Sequence, residues 1–490
     1  MTANSIAAGA PETYKGNDRV LFGMIFGVLA FWLFAQTTLN IAPVMAQDLE
    51  IETNVMNIAV SITALFSGIF IVVFGNLADR WGRVKMVRLG FLFSIAGSLL
   101  VGLTPVGPLA EGFLMGGRIL QGLSGALIMP ASLALVKAYW DGKDRQRAIS
   151  LWSMGSWGGS GFAALFGGLM AANVGWRWIF FAAVAISLIG MWMIRDMPES
   201  KASEGKAYKF DLPGVLTFMV MMVGYQIVAT QGGNFGWTSP LTLGILGVSV
   251  LATIVFIRGG KSNPHSFIDF KLFKNLTYTG ATLSNFLLNA TAGILIVAMT
   301  LIQLGGDLTA QAAGMLTLGY AIAIVAFIRV GEKLLRKFGP RKPMIWGAII
   351  VTLSILLLMP THFYLETYNT LVVIAFTLFG LGLAFYATPS TDAALSALPD
   401  DQVGSGSGIY KMASSLGASF GVAISATVLT LFSNDSTSIQ WIEGVISYLG
   451  RQDNTAVREA AFFAYGVNLL LAIAAMVSIM LTIPKSKPSK

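Results

Sequence analysis

The stretch Gly75-Asn-Leu-Ala-Asp79-Arg80-Trp-Gly82-Arg83-Val-Lys85 decides the fold of this chain. It places several basic residues and one carboxylate between two long apolar segments. A connection this short leaves its flanking helices antiparallel and adjacent, and its basic residues hold it on the cytoplasmic side of a membrane. An ordinary positively charged membrane loop would explain Arg83 and Lys85, but it would not explain Asp79 or the glycines.

The composition restricts the chain to membrane proteins. Hydrophobic residues make up 55% of its 490 residues. Only 11% of the residues are charged, whereas soluble domains are about 25% charged. The sequence has no cysteine, so it predicts no disulfide and no thiolate chemistry. Its two histidines, His265 and His362, lie far apart, and we expect neither a metal site nor a cofactor.

Apolar runs divide the chain into membrane spans, each needing about 20 apolar residues to cross the hydrocarbon core. Residues 1–19 are polar, and the first run, 20–45, is too long for a signal peptide and predicts a first span. Counts of twelve or thirteen are alternatives, because Thr388-Pro389 interrupts one run. We place fourteen spans, which begin near Val20, Asn54, Val87, Glu111, Arg147, Arg177, Leu212, Pro240, Leu276, Thr309, Pro343, Asn369, Gly404 and Ala460.

The distribution of charge sets the orientation. With the N-terminus inside, we assign lysines and arginines to the cytoplasmic side, except for Arg177, Arg451 and Arg458 outside and Arg118 within a span. The formal net charge of +8 therefore follows the positive-inside rule. It indicates anionic lipid headgroups, and not nucleic acid, as the partner. We expect a multi-pass protein with both termini in the cytoplasm.

The two halves of the sequence repeat each other weakly. Residues 331–342 stand where a second copy of the 75–85 loop belongs, but the alignment leaves this copy without a counterpart of Asp79. Residues 154–162 and 412–420 share methionine, serine, glycine and phenylalanine at the same spacing. Internal duplication is typical of secondary transporters, whose substrate site lies near the midplane between the halves.

The repeats predict the domain organisation. We expect an all-α membrane protein with two pseudo-symmetric six-helix bundles and two inserted helices. The predicted segments are a cytoplasmic tail at 1–19, bundles at 20–196 and 261–483, a linker with the inserted helices at 197–260, and a cytoplasmic tail at 484–490. The second bundle includes an external loop at 433–458.

Polar side chains inside a span are costly, so they are candidates for function. Arg118 lies in the fourth span, and Gln121, three residues later, shares its helix face. We predict that Arg118 couples protonation to movement or contacts an anionic part of the cargo, and that Gln121 lines the substrate cavity. The alternative is a structural arginine that binds backbone carbonyls.

Two polar stripes occupy equivalent places in the two halves. Trp32, Gln36 and Asn40 are each four residues apart in the first span, and Asn285 and Asn289 are four apart in the ninth. We predict that both stripes line a central cavity. The alternative is polar contact between helices, which is worth about 1 kcal/mol per contact.

Carboxylates at or near the spans have separate predicted roles. Asp392 is a candidate proton carrier, because burial favours the neutral form of a carboxyl group. If it lies in water near the cytoplasmic end of its span, its role is structural. Asp79, with Arg80 and Arg83, is predicted to latch a cytoplasmic gate through contacts that form only in the closed state.

Other motifs are incomplete. Gly259-Gly260-Lys261-Ser262 matches the end of a phosphate-binding loop, but Val255 stands where the first glycine of that motif belongs. The sequence contains no H-E-x-x-H motif and no soluble domain large enough to bind a nucleotide. It therefore argues against an enzyme and against ATP-driven transport within this chain.

These features resemble a known family. The 75–85 loop resembles the signature loop between helices 2 and 3 of major facilitator superfamily transporters, and Arg118-Ile-Leu-Gln-Gly122 resembles the fourth-helix motif of drug:proton antiporters. Nearly the whole chain is similar to the 14-helix drug:proton antiporters, in particular to the Nor-type quinolone and multidrug efflux branch of Gram-positive bacteria. The most specific stretch is Gly408-Ile-Tyr-Lys-Met-Ala-Ser-Ser-Leu-Gly417.

The resemblance implies the major facilitator fold and proton-driven export of fluoroquinolones and other amphipathic compounds across a bacterial cell membrane by alternating access. Its partners would be protons and an amphipathic small molecule, and we expect a monomer. Many relatives have an acid in the first span, where this chain has Ala35-Gln36. A cavity of amides and aromatics suits neutral or zwitterionic cargo. The alternatives are transport of a natural metabolite, lipid or peptide-like compound, and a polytopic membrane enzyme or sensor.

Overall fold

The computed structural model describes residues 14–201, 211–263, 266–398, 403–434 and 447–485. Nearly all of these residues lie in helices or short connections. The first part of the chain contains α1 (Asp18–Leu29), a π-helix (Ala30–Ala35), α2 (Thr38–Leu49), α3 (Thr53–Trp81), α4 (Arg83–Gly102), α5 (Ala110–Tyr139), α6 (Gly142–Ser153), a π-helix (Met154–Gly158), α7 (Gly159–Asn173) and α8 (Arg177–Met193).

The middle and second part follow the same pattern. They contain α9 (Leu212–Phe235), α10 (Pro240–Ser262), a 3-10 helix (Phe270–Lys274), α11 (Leu276–Ala290), α12 (Gly293–Thr300), a π-helix (Leu301–Gly305), α13 (Ala310–Leu316), α14 (Leu318–Phe338), α15 (Arg341–Leu358), α16 (Leu365–Ser396), α17 (Val403–Asn434) and α18 (Thr455–Thr482). The predicted external loop 433–458 is therefore shorter at both ends, and residues 435–446 of it lie outside the described residues, as does His265.

Helices begin close to every predicted start, and capping residues mark several of these starts in the sequence. The side chain of Asp211 accepts a hydrogen bond from the backbone N–H of Gly214 in α9, and Ser239 does the same for Thr242 in α10. Asn275 caps α11 through the N–H groups of its first turn. Such caps satisfy backbone donors that have no partner inside the helix.

The helices of the structure correspond to the predicted spans. Among the described residues, twelve helices are long and apolar enough to cross a membrane, or thirteen if the bent pair Leu165–Asn173 and Arg177–Met193 is one span. The other two predicted spans, which begin near Arg147 and Arg177, correspond to the helical stretch 142–173, in which a π-helix joins α6 to α7, and to α8, whose 17 residues rise about 26 Å along the helix axis.

The two halves repeat a close helix contact. A Cβ atom on Gly97 of α4 would lie 2.7 Å from the carbonyl oxygen of Gly117 in α5. In the second half, a Cβ atom on Gly382 of α16 would lie 2.7 Å from the carbonyl oxygen of Gly347 in α15. Because these pairs occupy the third and fourth spans of each half, they support two related bundles, and we propose bounds of 20–196 and 261–483 for them.

The inserted helices α9 and α10 pack against each other and against the second half. Ser419 of α17 donates a hydrogen bond to Gln226 of α9 at 3.3 Å, and Thr427 of α17 donates to the carbonyl oxygen of Ala229. In contrast, α10 exposes large apolar side chains such as Val248 and Leu251. This exposed surface is compatible with contact with lipid acyl chains.

Candidate functional site

A cavity lies between helices of the two halves. Trp32, Gln36 and Asn40 form one wall, so the stripe predicted in the first span does face this cavity. The facing wall includes Leu295 of α12 and Ser419 of α17. A mostly apolar cavity with few polar groups is typical of sites for small amphipathic ligands.

A second cavity adjoins the first and shares Trp32 with it. Asn289, predicted from the ninth span, lies in its wall together with Tyr320, Lys411 and Ser414. The indole N–H of Trp32 is buried and donates to no acceptor in the part of the chain that the structure describes. The two cavities share lining residues, and we call them together the central cavity.

Two residues predicted to line the cavity lie beside it instead. Asn285 is fully buried, and its amide donates to the carbonyl oxygen of Tyr410 at 2.8 Å and to Ser414 at 2.7 Å. It also accepts a hydrogen bond from Asn289. These hydrogen bonds connect α11 to α17. This arrangement matches the alternative stated for the stripe, which is polar contact between helices. Gln121 likewise lies outside the central cavity.

Arg118 is fully buried and binds oxygen atoms around it. Its guanidinium donates to the carbonyl oxygens of Ala59 at 2.8 Å, Val60 at 3.3 Å and Ala35 at 2.7 Å. It also donates to the side chain of Gln121 at 2.8 Å, which in turn donates to Ser98. This arrangement matches the structural alternative, an arginine that binds backbone carbonyls, and Arg118 does not line the central cavity.

The bond to Ala35 connects Arg118 to the cavity indirectly. Ala35 ends the π-helix of the first span, and Gln36 follows it where the helix is interrupted before α2. A π-helix turn often marks a functional site, because it changes the direction of the side chains that follow. Arg118 therefore holds the backbone that carries Gln36, and we propose that it acts as a positioning residue.

Lys411 is a buried cation that the sequence analysis assigned to the cytoplasmic side. It lies within α17, is only 4% exposed, and lines the central cavity. Its ammonium nitrogen lies 4.6 Å from the ring centre of Trp152 and 5.6 Å from that of Tyr410. Lys411 lies only a few residues after the predicted start of the thirteenth span. This position in the sequence could have identified it as a residue within the span.

Asp392 lies in a different cavity, nearer to the ends of α5, α14 and α16. This cavity is also lined by Lys137, Arg145, Glu332 and Arg336. The structure thus does not bring Asp392 together with the polar stripe of the first span. Among the described residues, no group of three or more histidines or carboxylates could hold a metal ion.

The predicted gate residues Asp79 and Arg83 form an ion pair at 2.7 Å. Arg83 also donates to the hydroxyl of Ser200, beyond the sixth span. Gly82 between them has a φ of +119°, a conformation that disfavours other residues, and a Cβ atom there would lie 2.4 Å from the Glu199 carboxyl carbon. Arg80 is exposed and does not share this ion pair.

The structure corrects the alignment of residues 331–342 with the 75–85 loop. Glu332 is buried, and it pairs with Arg336 at 2.5 Å and with Arg329 at 3.1 Å. The second copy therefore has a carboxylate, one helical turn earlier than the alignment expected. Gly339 ends this helix with a φ of +71°, as Gly82 ends α3 in the first half. Both halves thus join a carboxylate–arginine pair to a glycine turn.

Two helical bundles around a shared cavity define a membrane transporter, and the comparisons with known proteins agree. The family model of the Major Facilitator Superfamily matches residues 21–267 and 281–490, and the chain belongs to this family. The chain is 43% identical to the quinolone resistance protein NorB of Staphylococcus aureus strain MRSA252 over 98% of both chains. It is 42% identical to NorB of strain COL over the same shares.

Solved structures of low sequence identity show the same fold. An auto-inhibited peptide transporter of the POT family matches with a TM-score of 0.63 and 15% identity over 96% of this chain and 99% of that chain. A POT peptide transporter in complex with sulfate matches with a TM-score of 0.60 and 17% identity over 96% of both chains. The predicted fold class and the resemblance to the Nor-type branch are confirmed, and the chain is a transporter, not an enzyme.

Proposed function

We propose that this protein exports amphipathic compounds, including fluoroquinolones, from a bacterial cell by proton-coupled alternating access. The observation that carries the proposal is the 43% identity to a quinolone resistance protein over 98% of both chains. The central cavity supports it, because mostly apolar walls with a few amides suit an amphipathic cargo. We further propose that the protein acts as a monomer. Both of its termini would lie in the cytoplasm, as the basic loops predict.

Alternating access requires two states that differ in which end of the cavity is closed. The cavity walls come from both halves, so movement of one half against the other would open and close the site. The Asp79–Arg83 pair lies at the junction of α3 and α4, where it would bias one of these states. Protons moving inward would supply the energy to return the transporter to the cargo-accepting state.

Flux in proteoliposomes tests the proposed function. A pH gradient, acidic on the external side, is expected to drive norfloxacin and ethidium transport, and collapse of the gradient with a protonophore should stop it. Gradient-independent flux of both compounds would contradict proton coupling. If neither compound moves, export of these drugs is excluded, and thermal stabilisation across a metabolite panel would then identify the alternative cargo.

Asp392 is the proposed proton carrier. Replacing it distinguishes the coupling of transport to protons from the movement of the drug itself. Asp392→Asn is expected to abolish proton-driven drug uptake into inside-out vesicles, because an amide cannot exchange a proton at this pH. Drug exchange without a gradient should persist. Asp141→Asn is the matched control, since this exposed carboxylate makes no capping hydrogen bond and does not line the Asp392 cavity. Unchanged transport by Asp392→Asn would remove this residue from the mechanism.

Loss of the Asp79–Arg83 ion pair is expected to affect transport less than loss of Asp392. The side chains of Asp79 and Arg83 are 21% and 14% exposed, so their ion pair is worth about 1 kcal/mol. Asp79→Asn should therefore shift the balance of the two states by roughly fivefold. Labelling of a cytoplasmic cysteine introduced into the cysteine-free chain measures that balance.

The matched control for the gate is Asp196→Asn. Asp196 also pairs with arginines, but its side chain is 65% exposed, and these pairs contribute little. An equal shift in both variants would mean that general surface charge, and not the gate, sets the balance between the two states.

A further inference from the structure

Lys411 is a buried charge in the central cavity that the mechanism above does not use. In the described residues, no side-chain or backbone oxygen accepts a hydrogen bond from its ammonium group, and no ion pair includes it. Among the described residues, the ammonium group has cation–π contacts with the rings of Trp152 and Tyr410. Arg118, by comparison, donates to three carbonyl oxygens and to Gln121.

The ring contacts do not compensate for burial of the charge. Moving an ammonium ion out of water costs several kcal/mol even after the protein relaxes. A cation–π contact returns about 0.5 to 2 kcal/mol. The positive charge of Lys411 is therefore not fully compensated. A ligand that brings a negative charge into the cavity would be favoured there.

The neighbouring groups indicate which anion fits. Trp32, whose indole N–H has no acceptor in the described part of the chain, lines the same cavity as Lys411. One positive charge and one neutral donor suit a singly charged group with two oxygens. A carboxylate meets this description, whereas a doubly charged phosphate would be left with an uncompensated charge.

We propose that Lys411, assisted by Trp32, is a subsite for the carboxylate of zwitterionic or anionic cargo. The proposal rests on the proposed function and adds the chemical feature by which the cavity selects among amphipathic compounds. The rest of the cargo would lie along the apolar walls formed by Leu295 and its neighbours.

The test compares three cargoes in proteoliposomes: norfloxacin, its methyl ester, and ethidium, which has no carboxylate. Lys411→Gln is expected to raise the KM for norfloxacin at least tenfold, while transport of the ester and of ethidium changes less than twofold. Lys411→Arg, which keeps the charge, should retain most norfloxacin transport. An equal loss for all three cargoes, or no loss for any, would overturn the subsite.

A second measurement does not depend on the variants or on transport. Norfloxacin should raise the Tm of the purified wild-type protein, and its methyl ester should need at least tenfold higher concentration for the same shift. Equal shifts would overturn the proposal even if Lys411→Gln fails to fold. If the wild type moves none of the three cargoes, the proposed function fails, and the acid–ester comparison still decides whether the carboxylate subsite exists.

Discussion

Arg118→Ala is expected to lower transport at least about a hundredfold, which corresponds to about 3 kcal/mol. The substitution leaves the carbonyl oxygens of Ala35, Ala59 and Val60 without this donor. Each buried polar atom that loses its partner costs about 1 to 3 kcal/mol. The loss at Ala35 would release the interrupted segment of the first span, and Gln36 would lose its position in the cavity wall.

Arg118→Lys separates the two roles considered for this residue. A lysine keeps the charge, but its single ammonium cannot replace a guanidinium that bonds to two helices and to Gln121. If Arg118 acts by positioning the backbone, Arg118→Lys should lose nearly as much transport as Arg118→Ala. If it acts through its charge alone, the lysine variant should retain most of the activity, and the positioning role would be wrong.

Arg458→Ala is the matched control for Arg118. Arg458 is also buried and donates to four backbone carbonyl oxygens, those of Thr361, Phe363, Leu449 and Arg451, but it does not line the central cavity. Its loss is expected to lower the Tm as Arg118→Ala does, while transport per folded molecule stays near the wild-type rate. Flux normalised to the monodisperse protein fraction makes this comparison.

Gly382→Val is expected to lower the free energy of unfolding by about 3 kcal/mol, at the upper end of overpacking effects. A Cβ atom at Gly382 would lie 2.7 Å from the carbonyl oxygen of Gly347 and 2.9 Å from the backbone nitrogen of Val351. Backbone atoms cannot rotate away as a side chain can, so α15 and α16 would have to separate. Thermal unfolding in detergent measures the effect.

Gly466→Val in α18 is the control, since a Cβ atom there would meet no atom within 4 Å. This variant introduces the same change in helix propensity without the close contact, so its Tm should stay near that of the wild type. The related variant Gly117→Val should behave as Gly382→Val does, because Gly117 makes the equivalent contact in the first half. If Gly117→Val leaves the Tm near the wild-type value, this result would contradict the proposed equivalence of the two bundles.

The sequence predicted the structure where local chemistry decides it, and the helix starts lie close to the expected positions. Residues such as Asp211 and Ser239 cap their helices through hydrogen bonds within a single turn. The four-residue spacing of Trp32, Gln36 and Asn40 predicted one shared face, and all three line the cavity although a π-helix and a turn interrupt the segment that carries them. The structure then showed that this face meets the other half of the protein.

The other residues of the site could not be predicted in this way. Their contacts depend on which helix each helix face meets, and the spacing of residues in the sequence does not determine that. Asn285 and Asn289 share a helix face, yet Asn285 bonds to α17 and only Asn289 reaches the cavity. Lys411 was assigned to the cytoplasm because it is basic, although α17 begins at Val403 and places it about 12 Å into the helix. Glu332 was missed because the alignment of the two loops is displaced by one helical turn.

The hydrogen bond from Ser419 to Gln226 has a consequence for shortening this protein. Ser419 belongs to the cavity wall, and Gln226 belongs to the inserted pair of helices. Excising that pair to leave only the two bundles would thus remove a brace from the wall of the central cavity. A truncated version is therefore expected to need a compensating substitution at Ser419, such as alanine, before it recovers wild-type cargo selectivity.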